Sequence, residues 1–192
     1  MNPTALKPRS KFWATILRKV MGWTPIMPDS RPEQSVICVA PHTSNADFFV
    51  GLVFYLAYGG MPNFLIKKEW FVFPLNFIFK ALGGVAVDRK RGSSTVSVMT
   101  EAFESNPHLH LAVTPEGSRS YAQRWKTGFY RIAQGAGVPI EIAKLDFAKK
   151  EVGIVDLFYP TGDLEKDLRH LQSYYSSKMA KKPELYNDNP SL

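Results

Sequence analysis

The sequence predicts a single α/β domain with a mixed, largely parallel sheet flanked by helices, led by an N-terminal amphipathic helix. Three observations carry that prediction. Short apolar runs of strand character recur along the chain, helical patterns lie between several of them, and no repeat or low-complexity linker divides the 192 residues. That length suits one domain.

Residues 11 to 23, KFWATILRKVMGW, place Phe12, Trp13, Ile16, Leu17, Val20 and Met21 at helical spacing, with Lys11, Thr15, Arg18 and Lys19 on the other side. The pattern fits a helix lying in a lipid interface and equally one packed on the domain's own core. Charges interrupt any apolar stretch of a secretory signal, so no export signal is expected here. Strand-like runs follow at Val36 to Ala40, Phe64 to Lys67, Val85 to Asp88, Leu109 to Thr114, Val138 to Leu145 and Glu151 to Leu157. Helical patterns cover residues 45 to 58, 74 to 82, 94 to 104 and 127 to 135. A last helix is expected from Asp163, as cap, to about Lys181, with Leu164, Leu168, Leu171 and Tyr175 as its apolar stripe. Phe48 to Ile66 is a nineteen-residue run without a charge, but Gly59, Gly60, Pro62 and Asn63 break it into a buried helix, a turn and a strand. The resulting division is a basic arm over residues 1 to 30, a folded domain over 31 to 182 and a frayed tail over 183 to 192.

With 45% hydrophobic and 21% charged residues the chain can bury a core, which excludes disordered and collagen-like classes. A single cysteine, Cys38, excludes an intramolecular disulfide and a cysteine-based zinc cluster. The net charge of +7 sits wholly in residues 1 to 96, where twelve Lys or Arg face five Asp or Glu; the second half carries twelve of each. Such an excess suits an anionic partner. Basic and aromatic residues are not interleaved as in a nucleic-acid module, so no nucleic-acid partner is expected.

Motifs narrow the chemistry. The sequence contains no G-x-S-x-G elbow, Walker loop, H-E-x-x-H or G-x-G-x-x-G after a strand. His108 and His110 alternate on one strand without a visible third ligand, so no metal is expected there. Residues 40 to 47, APHTSNAD, stop a strand at Pro41 and start a helix, with His42 at the turn and Asp47 in the first helical turn. Strand-end loops are where α/β proteins hold reactive groups. Asp47 suits an orienting partner for a His42 base, and Ser44 followed by Asp47 is also a capping box; the two readings can coexist. Residues 113 to 120, VTPEGSRS, bring Glu116, Gly117, Ser118 and Arg119 to another strand exit. Glycine admits close backbone approach and arginine grips phosphate, while a turn with an internal Glu–Arg pair has the same residues. Arg89, Lys90 and Arg91 follow a third strand, and Lys67 and Lys68 end a fourth.

Together these blocks resemble the glycerophospholipid acyltransferase family, typified by 1-acyl-glycerol-3-phosphate acyltransferases. The resemblance spans residues 36 to 140 in order. His42 and Asp47 fit the family's His, four residues, Asp signature; Lys67, Glu69 and Pro74 fit a Lys, x, Glu run followed by Pro; Gly83 to Arg89 fits a Gly to Asp-Arg block. Pro115 to Arg119 fits Pro-Glu-Gly-Thr-Arg with Ser118 in the Thr place, Lys126 and Gly128 fit Lys, x, Gly, and Val138 to Ile140 fits Val-Pro-Ile. The chain is short for the family, and Glu141 to Ala143 stand where a further Pro is usual.

The resemblance implies transfer of a fatty acyl group from acyl-CoA or acyl carrier protein to a hydroxyl of a lysophospholipid, most naturally 1-acyl-glycerol-3-phosphate. Lyso-forms of amino-acid-containing lipids and phosphate-free acceptors also remain open, as does a non-catalytic lipid-surface module. By resemblance His42 is the general base oriented by Asp47, Glu116, Gly117, Ser118 and Arg119 shape the acceptor site, and Lys67 and Arg89 add charge for a phosphate. Direct attack on the thioester implies no covalent acyl-enzyme, no metal and no cofactor beyond the donor. Aromatic residues 70 to 79 suit an acyl groove, a membrane face or plain core. The expected location is cytoplasmic, peripheral on the inner face of a membrane through residues 11 to 23.

Overall fold

The computed structural model describes residues 8–28, 30–59, 63–67, 69, 72–73, 76–77, 83–87 and 95–191. Its strands are β1 (Thr24–Ile26), β2 (Ser35–Ala40), β3 (Phe64–Lys67), β4 (Gly84–Val87), β5 (His110–Val113), β6 (Ile140–Asp146) and β7 (Glu151–Phe158). The helices are α1 (Lys11–Thr15, continued by a π turn over Ile16–Val20), α2 (Asn45–Tyr58), α3 (Thr95–Ser105), α4 (Gly128–Ala136) and α5 (Leu164–Gln172).

Five strands pair in the order β1-β7-β6-β2-β5. All neighbours are parallel except β6 and β7, which are antiparallel, so the sheet is mixed as the sequence predicts. The parallel pair β3–β4 joins the β5 edge through Asn63, whose N–H donates to the His110 carbonyl at 2.6 Å and whose carbonyl accepts from Ala112 N–H at 2.8 Å.

Alternation along the central strands feeds both faces. Val36, Cys38, Ala40, Ile140 and Ile142 pack with Met99 and Phe103 of α3, Phe129 and Ile132 of α4, and Leu168 and Leu171 of α5. On the opposite face Leu145 and Val152 meet Val50 and Phe54 of α2, which in turn receive Ala14 and Leu17 from the N-terminal helix. The sheet is therefore sandwiched between α1 with α2 and the other three helices.

Several expectations change. The N-terminal stripe divides: Leu17 is fully buried on α2, with Trp13 and Met21 packed beside it, while Phe12 and Val20 are exposed beside Lys11, Arg18 and Lys19. The short strand β1 carries no periodic signal, having three residues and a proline, yet it pairs with β7. Its approach requires Gly153, where a Cβ would fall 1.7 Å from the Ile26 carbonyl oxygen. The last helix stops at Gln172 instead of about Lys181. Ser173 closes it, with its N–H on the Arg169 and His170 carbonyls. Tyr175 then leaves the helical stripe and enters the core separately. The expected fraying after residue 182 is also corrected. Tyr186 is buried, and Asn187 Nδ2 and Ser191 N–H bond the Gln123 carbonyl, the former at 3.3 Å and the latter at 2.9 Å. Of the helix expected over 74 to 82, only residues 76–77 are described, and both are helical.

Candidate active site

β2 and β5 lie side by side in parallel, with Ser35 opposite His110 and Cys38 opposite Val113. Parallel neighbours release their following loops at the same end of the sheet. Register alone thus brings the turn after Ala40 next to the turn after Val113, across more than seventy residues of chain.

The first turn passes a cis Ala40–Pro41 peptide and enters α2 through Ser44. Ser44 is the N-cap: its Oγ accepts from Ala46 N–H at 3.0 Å, and Asp47 returns the capping box. Asp47 Oδ2 accepts from the Thr43 and Ser44 N–H groups, both at 2.8 Å, and Oδ1 accepts from Ser44 Oγ at 3.1 Å. The same Oδ2 lies 3.2 Å from His42 Nδ1. The carboxylate that closes the cap is therefore also the one that faces the His42 ring. An Nδ1–H directed at Asp47 leaves Nε2 as the lone-pair nitrogen, and Nε2 has no partner among the described residues. The His42 side chain is 22% exposed against 2% for Asp47, so the ring is open to a ligand while its partner is not.

The second turn supplies Glu116, 5% exposed, whose Oε1 accepts from the His42 backbone N–H at 2.8 Å. Burial pushes the Glu116 carboxyl up to about 7, with nearby Asp47 acting in the same direction and the His42 amide and ring opposing. Gly117 follows at φ +71°, a left-handed conformation, with its N–H on the Thr114 carbonyl at 3.1 Å. Lys126 N–H closes the far side of the loop on the Pro115 carbonyl at 2.8 Å. Ser118 and Arg119 stand exposed on this loop, and neither side chain has a partner among the described residues. The internal Glu–Arg pair that the sequence allowed is absent among them.

The remaining sequence candidates are less defined. Lys67 ends β3, and only its backbone is described; Arg89 lies outside the described residues, as do Lys68, Lys90 and Arg91. Of the aromatic run, Phe73 and Phe77 are exposed, their rings 6.2 Å apart at right angles. Phe48 and Phe49, directly after Asp47, are exposed in a similar edge contact.

Two groups of residues escaped sequence reasoning. The C-terminal segment crosses the site end of the sheet. Tyr175 OH is placed to donate to the Cys38 carbonyl at 3.0 Å or the Ala143 carbonyl at 3.2 Å, so it spans β2 and β6 just before the His42 turn. Lys182 N–H donates to Thr43 Oγ1 at 3.2 Å. At the opposite end of the sheet Glu141, fully buried, takes two bonds from Arg31, at 2.8 and 2.7 Å, and one from Ser35 Oγ at 2.9 Å. Ser35 Oγ also lies 2.7 Å from His110 Nδ1, so His110 serves this network.

The family model described as Acyltransferase matches residues 25–141, which contain both turns. Among solved structures the chain is similar to the 1-acyl-sn-glycerophosphate (LPA) acyltransferase PlsC from Thermotoga maritima, at 20% identity and a TM-score of 0.57, covering 85% of this chain and 73% of that one. A search of curated proteins gave no match. With the family match running over more than half of its length and the fold shared with an enzyme of the expected kind, the chain belongs to the acyltransferase family.

Proposed function

We propose that the protein moves a fatty acyl group from an acyl thioester, acyl-CoA or acyl carrier protein, to a hydroxyl of a lysophospholipid such as 1-acyl-glycerol-3-phosphate. The observation that carries this reading is the His42 Nδ1 to Asp47 Oδ2 approach of 3.2 Å at a strand end, with Nε2 unpartnered among the described residues. Asp47 fixes the tautomer and stabilises the imidazolium. Nε2 takes the acceptor hydroxyl proton as the oxygen attacks the thioester carbonyl, and the C–S bond then breaks with that proton passing to the departing sulfur. Glu116 acts one step back, holding the His42 backbone so that the ring meets Asp47. Ser118 and Arg119 supply a hydroxyl and a guanidinium for the acceptor headgroup, with Lys67 and Arg89 as further cations.

The same reading has the protein peripheral on the cytoplasmic face of a membrane. Phe12 and Val20 beside Lys11, Arg18 and Lys19 support it, being apolar and cationic together on the outer face of the N-terminal helix. Among the described residues no helix is long and apolar enough to cross a membrane.

The test is an acceptor screen. Purified protein is given acyl-CoA or acyl carrier protein with lysophosphatidic acid, amino-acid-containing lysolipids and monoacylglycerol, and products are read by mass spectrometry. Diacyl product from lysophosphatidic acid supports the proposal; no acyl transfer to any acceptor, with anionic vesicles still bound, returns a lipid-surface module instead.

A further inference from the structure

Gly117 does more than turn the chain. A Cβ on it would fall 2.6 Å from Lys126 Cε, 2.7 Å from Cδ and 2.7 Å from Nζ. The lysine stem therefore occupies the space that a side chain at 117 would fill, and its ammonium is delivered over the Glu116–Arg119 turn. The root of the lysine is fixed as well, because Lys126 N–H bonds the Pro115 carbonyl at 2.8 Å. An exposed lysine ordinarily leaves its chain free in water, since ordering it costs rotamer entropy. Here the chain lies along backbone instead, and the ammonium makes no ion pair among the described residues.

Arg119, two residues past Gly117, is also exposed and unpaired among the described residues. Lys126 and Arg119 thus leave two exposed cations on one loop, each free to take an anion. Adjacent Glu116 does not fill that role: it is buried beneath the loop and committed to His42, and burial raises its carboxyl pKa. The loop thus carries an exposed ammonium, guanidinium and hydroxyl, at Lys126, Arg119 and Ser118, donors that match the oxygens of a phosphate ester.

We propose that Lys126 is a phosphate-holding residue of this site, positioned through the missing Cβ of Gly117, and that it sets preference for phosphate-bearing substrates. The proposal rests on the acyltransferase reading for its kinetic consequence, but binding tests it separately. A phosphate ester reaches the loop from two sources, the headgroup of the acceptor or the phosphates of coenzyme A.

Lys126→Met keeps the stem and removes the charge; Lys126→Arg keeps the charge. In the full-length enzyme, Lys126→Met is expected to raise KM about ten-fold with little change in kcat, as loss of one charged contact implies, and Lys126→Arg to retain most of the affinity. If the rise with lysophosphatidic acid exceeds that with monoacylglycerol, the phosphate is the acceptor's. If it is seen with acyl-CoA and not with a phosphate-free acyl thioester of N-acetylcysteamine, the phosphate is the donor's. Either result supports the site. An equal rise with phosphate-bearing and phosphate-free substrates, or none with any, overturns it. The arm that needs no turnover is calorimetric titration with glycerol 3-phosphate and with coenzyme A. Weaker binding of either to Lys126→Met and to Gly117→Ala than to wild type supports the proposal even where no acyl transfer is found. Unchanged affinity for both, or no binding of either by wild type, overturns it while leaving the acyltransferase reading to its own screen.

Discussion

The backbone N–H of His42 donates to Glu116 Oε1 at 2.8 Å, joining two turns that are seventy-four residues apart in the chain. One bond thereby couples the His-Asp turn to the Glu-Gly-Ser-Arg turn. Asp47 gathers the Thr43 and Ser44 amides from below, and Glu116 holds the His42 amide from the side.

Glu116 gives the coupling a pH signature. Its carboxyl is raised from 4.5 to about 7 in the fold, chiefly by burial, with Asp47 reinforcing and the His42 amide and ring opposing. A raised acid binds its proton more tightly folded than unfolded. Its stabilising contribution is complete below pH 4.5 and is lost as pH rises to about 7, a loss on the order of 3 kcal/mol. Urea unfolding across this window is expected to show wild type losing stability relative to Glu116→Gln. Parallel curves contradict the assignment.

Asp47→Asn removes the charge that faces His42 Nδ1 and keeps the side-chain shape. Activity is expected to fall by about a hundred-fold or more, and the weakened cap to cost about 1 kcal/mol. Turnover with thermal unfolding of the same preparation separates the two losses.

Tyr175→Phe deletes one hydroxyl that two strand carbonyls share. Because those acceptors are buried, a stability loss of about 1–3 kcal/mol is expected. Chemical denaturation measures it.

Glu141 is fully buried, and half-buried Arg31 is the cation that pairs with it. Arg31→Met strands the carboxylate and is expected to destabilise by about 3–5 kcal/mol, whereas Arg31→Met with Glu141→Leu recovers much of that loss. A double-mutant cycle by denaturation gives the coupling directly.

Local signals account for what the sequence made legible. α2 runs over Asn45–Tyr58 as expected because Ser44 caps it and Gly59, at φ +85°, ends it. β2, β5 and β6 were readable as apolar runs because helices cover both of their faces. His42 and Asp47 were readable because their partnership is local, within one helical turn. The Glu116 bond to His42 was not, since it depends on β2 and β5 being neighbours. Tyr175 followed the helical period and so was assigned to a helix that ends three residues earlier. Glu141 was seen only as a departure from a motif; its meaning lies in Arg31, 110 residues away. Lys126 was noted as a motif residue and not as a cation of the site, because only the fold shows its stem lying on Gly117.

Acyl transfer by the proposed route needs His42 as the base. The most direct measurement is diacyl product formed from lysophosphatidic acid and an acyl thioester by wild type and by His42→Ala, with both proteins shown to be folded by circular dichroism. With His42 as the base, wild type turns over readily and the variant loses at least about a hundred-fold. Equal product from the two contradicts it.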